Sequence, residues 1–324
     1  MNSPELFSIA FLIIGSLLLY FGADSLVKGS TRLAINLGIT PIIIGLTVVA
    51  FGTSAPELIV SLSAGYQGNA EIALGNVIGS NICNIALILG LSSLIRPVEF
   101  HLKYVNKDFW IMIIASIAVL IMSLDGDLDM WDGAILTLGI VSYVLYNIKK
   151  SKDENLEIEL EEVTGKTKFK DKNIFHVLLL IVGLVILMMG ANLFLEGAVN
   201  IAKYLGLSNV IIGLTIVALG TSLPELAVSV VASIKKESDI SLGNVIGSNI
   251  FNLLMILGVT SIFFPIGAND ISLVDIGIMI FTSLIIVPLG MRGNKFSRLD
   301  GAFLLLIYIG YMYYLFTYGS LPQV

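Results

Sequence analysis

Two glutamates stand where a carboxylate is hard to keep. Glu57 follows Gly52-Thr53-Ser54-Ala55-Pro56 and Glu225 follows Gly220-Thr221-Ser222-Leu223-Pro224, each near the middle of a long apolar run. If such runs lie in lipid, a carboxylate there costs about 2.5–3.5 kcal/mol on insertion scales and needs a partner. No lysine or arginine falls at that depth in any run, so the partners left are mobile ones, metal ions or protons. The bland alternative is a pair of protonated, structurally hydrogen-bonded carboxyls. Proline adds to the chemistry. Pro56 and Pro224 have no N–H, which frees the carbonyls of Gly52 and Gly220. A freed carbonyl in lipid must line a cavity or find another partner. Ca²⁺ takes about 6–8 oxygens. Two carboxylates offer four, and carbonyls with water can supply the rest.

A second set of oxygens recurs every four residues: Asn76, Ser80 and Asn84, then Asn244, Ser248 and Asn252. On a helix each triplet shares one face, and neutral oxygens suit a monovalent cation as well as a divalent one. Asn81 and Asn249 lie off that stripe and read equally as ligands or as interhelical hydrogen-bond glue. Asp132 and Asp300 fall near helix ends, where capping is the expected role. Cys83 reads as packing, His101 and His176 as interfacial. Tyr308, Tyr311, Tyr313, Tyr314 and Tyr318 read as an aromatic belt.

The elements that must hold these groups are membrane helices. Of 324 residues, 56% are hydrophobic and only 13% charged, and the mean hydropathy is +0.94. Soluble domains carry roughly 25% charge. The composition excludes a disordered chain, and the single cysteine excludes an internal disulfide. A net charge of −6 without a basic face argues against nucleic acid. Cutting at charges and loop residues gives ten runs near the length a bilayer requires: 5–27, 41–66, 71–95, 108–124, 130–149, 173–196, 209–234, 239–264, 271–290 and 299–318. The first lacks a basic leader, so it is read as a helix of the mature protein.

Residues 42–95 lie on 210–263 at a constant offset of 168, and 31 of those 54 positions are identical. The same offset pairs Gly22-Ala23 with Gly190-Ala191 and Asp132-Gly133-Ala134 with Asp300-Gly301-Ala302. The expected fold is therefore all-α and polytopic: two five-helix repeats over 1–150 and 173–324, joined by a loop at 151–172. An odd repeat inverts its second copy, which places the discontinuous helices 2 and 7 face to face at mid-membrane. With ten spans, 17 of the 18 lysines and arginines fall on one side, and only Lys203 on the other. Such a bias marks the cytoplasm. Both termini then face outward, and the 151–172 loop is a cytoplasmic, solvated hinge.

The paired GTSxPEL and GNVIGSNIxN segments resemble the repeats of the Ca²⁺/cation antiporter superfamily, and in particular its prokaryotic sodium/calcium exchangers. The resemblance spans essentially the whole chain. It implies a secondary antiporter of the plasma membrane that exchanges Na⁺ for Ca²⁺ by alternating access and exports Ca²⁺. It implies no cofactor and no obligate protein partner beyond the lipid bilayer. It further implies that Glu57 and Glu225 bind Ca²⁺ with the carbonyls of Thr53 and Thr221. Ser54, Ser222, Ser80, Ser248 and the carbonyls of Ala50 and Ala218 would form flanking Na⁺ sites, with Asn84 and Asn252 completing the centre. Helices one and six would slide against the other eight. Some relatives have aspartate at the position of Asn84 or Asn252, so the central charge here is at most −2, and the Na⁺ number and any K⁺ or H⁺ role stay open. Proton/calcium exchangers carry an acid where Gly79 and Gly247 stand, which makes coupling to H⁺ or K⁺ the alternative reading. An intramembrane hydrolase is the rival of another class. It would need a nucleophile or a fixed metal, and no HExxH motif is present.

Overall fold

The structure is a computed structural model that describes residues 3–100, 102–153, 173–205, 218–268 and 272–318. Hydropathy dictates its elements: almost everything is helix, because in lipid each backbone polar group must bond within its own segment. In chain order the helices are α1 Ser3–Leu37, α2 Pro41–Ile44, α3 Ala50–Thr53, α4 Ala55–Tyr66, α5 Glu71–Ile82, α6 Gly90–Ile95, α7 Leu102–Met122 and α8 Met130–Asp153. They continue as α9 Asn173–Tyr204, α10 Ala218–Thr221, α11 Leu223–Ile234, α12 Ser238–Phe251, α13 Leu257–Phe263, α14 Leu273–Met291 and α15 Arg298–Tyr318. Wider π-turns at Gly45–Val49, Cys83–Leu89 and Asn252–Ile256 join α2 to α3, α5 to α6 and α12 to α13.

Among the described residues, eight helices are long and apolar enough to cross a membrane, and the bent pair Pro41–Thr53 and Ala55–Tyr66 makes a ninth. The expected span at 209–234 begins outside the described residues; its remainder is α10 and α11. His101 and the 154–172 part of the hinge also lie outside them. Two boundaries differ from expectation. The first helix continues to Leu37 rather than stopping near residue 27, and α9 continues to Tyr204 rather than 196. Lys28 and Arg32 therefore ride on the helix itself, although Gly29, Ser30 and Thr31 are weak helix formers, and packing of α1 against α9 holds the extension.

α1 and α9 pack along a stripe of glycines spaced by seven. A Cβ added at Gly15 would lie 2.6 Å from the Phe194 nitrogen, and one at Gly22 2.6 Å from the Leu187 nitrogen. One at Gly190 would lie 2.7 Å from the Leu19 nitrogen. Residue numbers rise along one helix as they fall along the other, so the pair is antiparallel. Only glycine permits backbones this close.

The 168-residue offset reappears as reciprocal contacts. Strand β1 (Val98–Glu99) pairs with β4 (Lys295–Phe296), and β2 (Asp127–Leu128) pairs with β3 (Ile266–Gly267), both antiparallel. Adding 168 to β1 gives β3, and adding 168 to β2 gives β4, so each ladder joins opposite halves and one is the image of the other. The motif helices form the centre. The apolar window of α12–α13 is 89% buried, against 28% for α1 and 22% for α15. The outer helices turn Ile13, Trp110, Leu138 and Leu306 outward, as lipid-facing surfaces require.

Candidate functional site

Each glutamate sits just past a break. α3 ends at Thr53, Ser54 adopts φ −81°, ψ 2°, and α4 restarts with Pro56 in its first turn and Glu57 directly after it. In the other half Ser222 adopts φ −88°, ψ 6° ahead of Pro224 and Glu225. These angles lie in the sparsely populated bridge region that active-site residues often occupy. The axis bends by 41° at Ser54.

Ser-x-Pro-Glu has the spacing of a helix-capping box. Neither serine caps its own helix. Instead the hydroxyls cross. Ser54 Oγ donates to Glu225 Oε1 at 3.3 Å, and Ser222 Oγ donates to Glu57 Oε1 at 3.5 Å. The crossing draws the two carboxylates together from opposite halves. Both glutamates are 1% exposed.

Four oxygens in this centre are buried without a hydrogen-bond partner: Glu57 Oε2, Glu225 Oε2, Asn84 Oδ1 and Asn252 Oδ1. They form two pairs related by the 168-residue offset. Leaving such acceptors unmet costs about 1–3 kcal/mol each, more where they are charged. Asp24 pairs with Lys28 and with Lys235, and among the described residues no ion pair reaches Glu57 or Glu225.

Asn81 and Asn249, left open between ligand and glue, are what hold the site asparagines. Asn84 Nδ2 donates to Asn249 Oδ1 at 3.0 Å, and Asn252 Nδ2 donates to Asn81 Oδ1 at 3.0 Å. The amide N–H groups are thereby used, and the two Oδ1 atoms are left bare. Asn84 and Asn252 both lie in π-turns, where the helix widens, a feature common at functional sites. Apart from the asparagines themselves, nothing in those apolar runs signals a π-turn.

The remaining predicted residues gather in two neighbourhoods. Thr53 Oγ1 donates to Asn244 Oδ1 at 3.1 Å, lies 3.4 Å from Ser248 Oγ and reaches the Ala50 carbonyl at 3.3 Å. On the other side Ser222 Oγ meets Ser80 Oγ at 3.4 Å. Thr221 is half-buried, and Ala218 opens α10, its side chain outside those described. Asn76 bonds within its own half, to Ser61 at 3.4 Å, and Asn244 Nδ2 donates to Ser229 at 3.0 Å in its own half while its Oδ1 takes the Thr53 bond from the other.

Several side roles resolve. Asp300 Oδ2 accepts from Ser297 N at 2.8 Å, and Asp132 Oδ2 from Asp129 N at 3.1 Å, so both cap helices as expected. Tyr311 departs from the expected belt: it is buried, and its hydroxyl donates to Asp275 at 3.1 Å, as Tyr143 does to Asp108 at 2.9 Å. His176 is buried where Gly29 lets α1 and α9 close together. Cys83 packs as expected, and it also lines an apolar cavity of about 190 Å³ that reaches Ser222 between Phe194, Leu195 and Leu226. At the offset-related positions of the other half Leu26, Val27 and Ser30 are buried, while Phe51 is exposed. Asp24 of α1 joins Lys235, just past α11. Nearby, burial raises the Glu237 carboxyl above its usual range, while Thr31, Arg32 and Lys235 draw it back.

Apolar helices, one broken in mid-span, around a buried, oxygen-lined centre are the architecture of polytopic membrane transporters. Comparison narrows the class: the chain belongs to the sodium/calcium exchanger protein family, whose profile matches residues 7–149 and 175–317. It is 32% identical to the sodium/calcium exchanger MaX1 of Methanosarcina acetivorans, over 94% of this chain and 97% of that one. It is 35% identical to the inner membrane protein YrbG of Escherichia coli, over 89% and 90% respectively. Among solved structures it resembles the sodium-calcium exchanger NCX_Mj soaked with 10 mM Na⁺ and zero Ca²⁺, with a TM-score of 0.83 and 36% identity over 96% of this chain and 99% of that one.

Proposed function

We propose that this protein exchanges Na⁺ for Ca²⁺ at the crossed-serine centre by alternating access, and that it exports Ca²⁺. The observation that carries the reading is the set of four bare, buried oxygens on Glu57, Glu225, Asn84 and Asn252. In this account Ca²⁺ sits between the two carboxylates, helped by the carbonyls of Thr53 and Thr221, and its charge offsets theirs. Na⁺ ions occupy the flanks, at Ser54 and Ser248 with the Ala50 carbonyl, and at Ser222 and Ser80 with the Ala218 carbonyl. Coupling follows from cost: an empty pair of carboxylates cannot cross a dry barrier cheaply, whereas a loaded pair can. The apolar cavity that reaches Ser222 supports access to the centre between Phe194, Leu195 and Leu226.

The same reading takes the chain as ten spans in two inverted halves, 1–150 and 173–324, set in the plasma membrane. Both termini face outward and the 151–172 loop is cytoplasmic. The antiparallel α1–α9 pair and the exchanged ladders support the inversion. The test is Ca²⁺ flux into proteoliposomes driven in turn by a Na⁺ gradient, a pH gradient, and a Na⁺ gradient with K⁺ added. Flux with Na⁺ alone is expected. Flux with the pH gradient alone, or a strict K⁺ requirement, would replace this reading with the H⁺- or K⁺-coupled one.

A further inference from the structure

The ladder of β1 and β4 closes one corner of the molecule, and its surroundings are strongly basic. Arg96, Lys236, Lys295 and Arg298 line one crevice of about 690 Å³, with Glu99 as its single carboxylate. Three separated chain segments supply these cations. The offset-related corner, built on the same backbone pattern by β2 and β3, has Phe264, Gly68, Asp127 and Met130 at the equivalent positions. The fold therefore does not need the charge.

Lys236 is the most informative of the four. It holds a left-handed backbone, φ +68°, where its counterpart is Gly68 at φ +80°. Glycine takes that conformation freely and lysine does not. A strained lysine kept where glycine fits points to a use for its side chain. Positive charge on this face is expected for topology alone, but a topological signal needs neither a shared crevice nor a strained residue.

A second crevice of about 500 Å³ shares Lys295 and lies between α14 and α15, lined by Ile285, Leu289, Leu299 and Phe303 together with Arg292, Ser297 and Asp300. A cationic crevice that shares Lys295 with a neighbouring crevice carrying an apolar wall of Ile285, Leu289, Leu299 and Phe303 matches a molecule with a phosphate head and acyl tails. We infer that this corner is a binding site for an anionic phospholipid, its phosphate held by Arg96, Lys236, Lys295 and Arg298 and its chains laid along Ile285, Leu289 and Phe303. Basic pockets between membrane helices are suited to such headgroups. The inference rests on the membrane reading of the chain and uses no residue of the transport site, so lipid binding and ion exchange stand or fall separately.

The test uses the full chain in phosphatidylcholine vesicles containing spin-labelled phosphatidylglycerol or spin-labelled phosphatidylcholine, and reads the motionally restricted lipid. Each cation near an anionic headgroup is worth roughly fivefold in association. The variant Arg96→Gln/Lys236→Gln/Lys295→Gln/Arg298→Gln is expected to lose the preference for phosphatidylglycerol by more than about tenfold on that scale. The charge-matched control Lys166→Gln/Lys168→Gln/Lys170→Gln/Lys172→Gln is expected to keep it. Because the fourfold variant can misinsert, Lys236→Gly is the second arm: it relieves the left-handed strain, so the fold is retained or gains stability while retention falls roughly fivefold. Equal loss in the control, unchanged retention in Lys236→Gly, or equal retention of both lipids overturns the inference. Displacement of the lipid by equimolar inorganic phosphate does so too, by assigning the crevice to a soluble anion.

Discussion

Ser54→Ala tests the crossed geometry in a way that same-half reasoning cannot mimic. The substitution removes a donor that lies 3.3 Å from Glu225 Oε1 in the opposite half. Hydrogen bonds to charged groups are worth about 1.5–3 kcal/mol. At this long distance the lower end applies, and about 1.5 kcal/mol is roughly tenfold in an equilibrium constant. The assay is the Ca²⁺ concentration that half-saturates purified protein with ⁴⁵Ca²⁺ in the absence of Na⁺, measured in a double-mutant cycle. Glu225→Asp withdraws the carboxylate from Ser54 by one methylene, so Ser54→Ala on that background is expected to change little. On a Glu57→Asp background the full tenfold effect is expected to persist. Ser222→Ala is expected to show the opposite pattern, with a smaller size because its contact with Glu57 is 3.5 Å. If the Ser54 effect instead vanishes with Glu57→Asp and survives Glu225→Asp, the serine serves its own half and the crossing is wrong.

Other consequences follow from the same contacts. Asn81→Leu leaves the Asn252 amide without its acceptor, and one unsatisfied buried group costs about 1–3 kcal/mol. Apparent Ca²⁺ affinity is expected to fall by roughly tenfold or more, although Asn81 lies off the stripe of predicted ligands; calorimetric Ca²⁺ titration checks it. Gly22→Leu places a side chain where a Cβ alone would meet the Leu187 nitrogen at 2.6 Å. Overpacking of this kind costs about 1–3 kcal/mol, so the thermal midpoint in detergent is expected to drop, whereas Gly310→Leu, at an open site, leaves it unchanged. Asn252→Asp adds a third carboxylate that Ca²⁺ alone does not neutralise. Exchange by this variant is expected to gain a dependence on pH or on an added monovalent cation, read as Ca²⁺ flux across a pH and K⁺ series.

Hydropathy made the helices legible, because lipid leaves few alternatives for runs of twenty apolar residues. It misjudged the ends of α1 and α9, where Lys28, Arg32 and Lys203 mark the water boundary but do not stop a helix. The glutamates were legible from their cost alone. Their environment was not: Ser54 and Glu57, three residues apart, read as neighbours of one half, and the cross-half pairing is a tertiary fact that no local spacing encodes. Asn81 shows the same limit. Its sequence context is shared with Asn84, and only the assembled helices assign one to support and leave the other bare. Tyr311 read as belt by composition, yet its helix face turns it inward to Asp275. The π-turns had no visible signal, since the residues in them are ordinary membrane-helix formers.

The central claim is that two buried carboxylates are balanced by the ions that pass between them. Its most direct measurement is Na⁺-gradient-driven ⁴⁵Ca²⁺ uptake by proteoliposomes of the unaltered protein, Glu57→Gln and Glu225→Gln, with folded protein verified by size-exclusion profile. Removing one partner of a buried charge pair costs about 3–5 kcal/mol, so each variant is expected to lose uptake by at least a hundredfold. Uptake near the unaltered rate in both would mean that these carboxylates carry no transported ion.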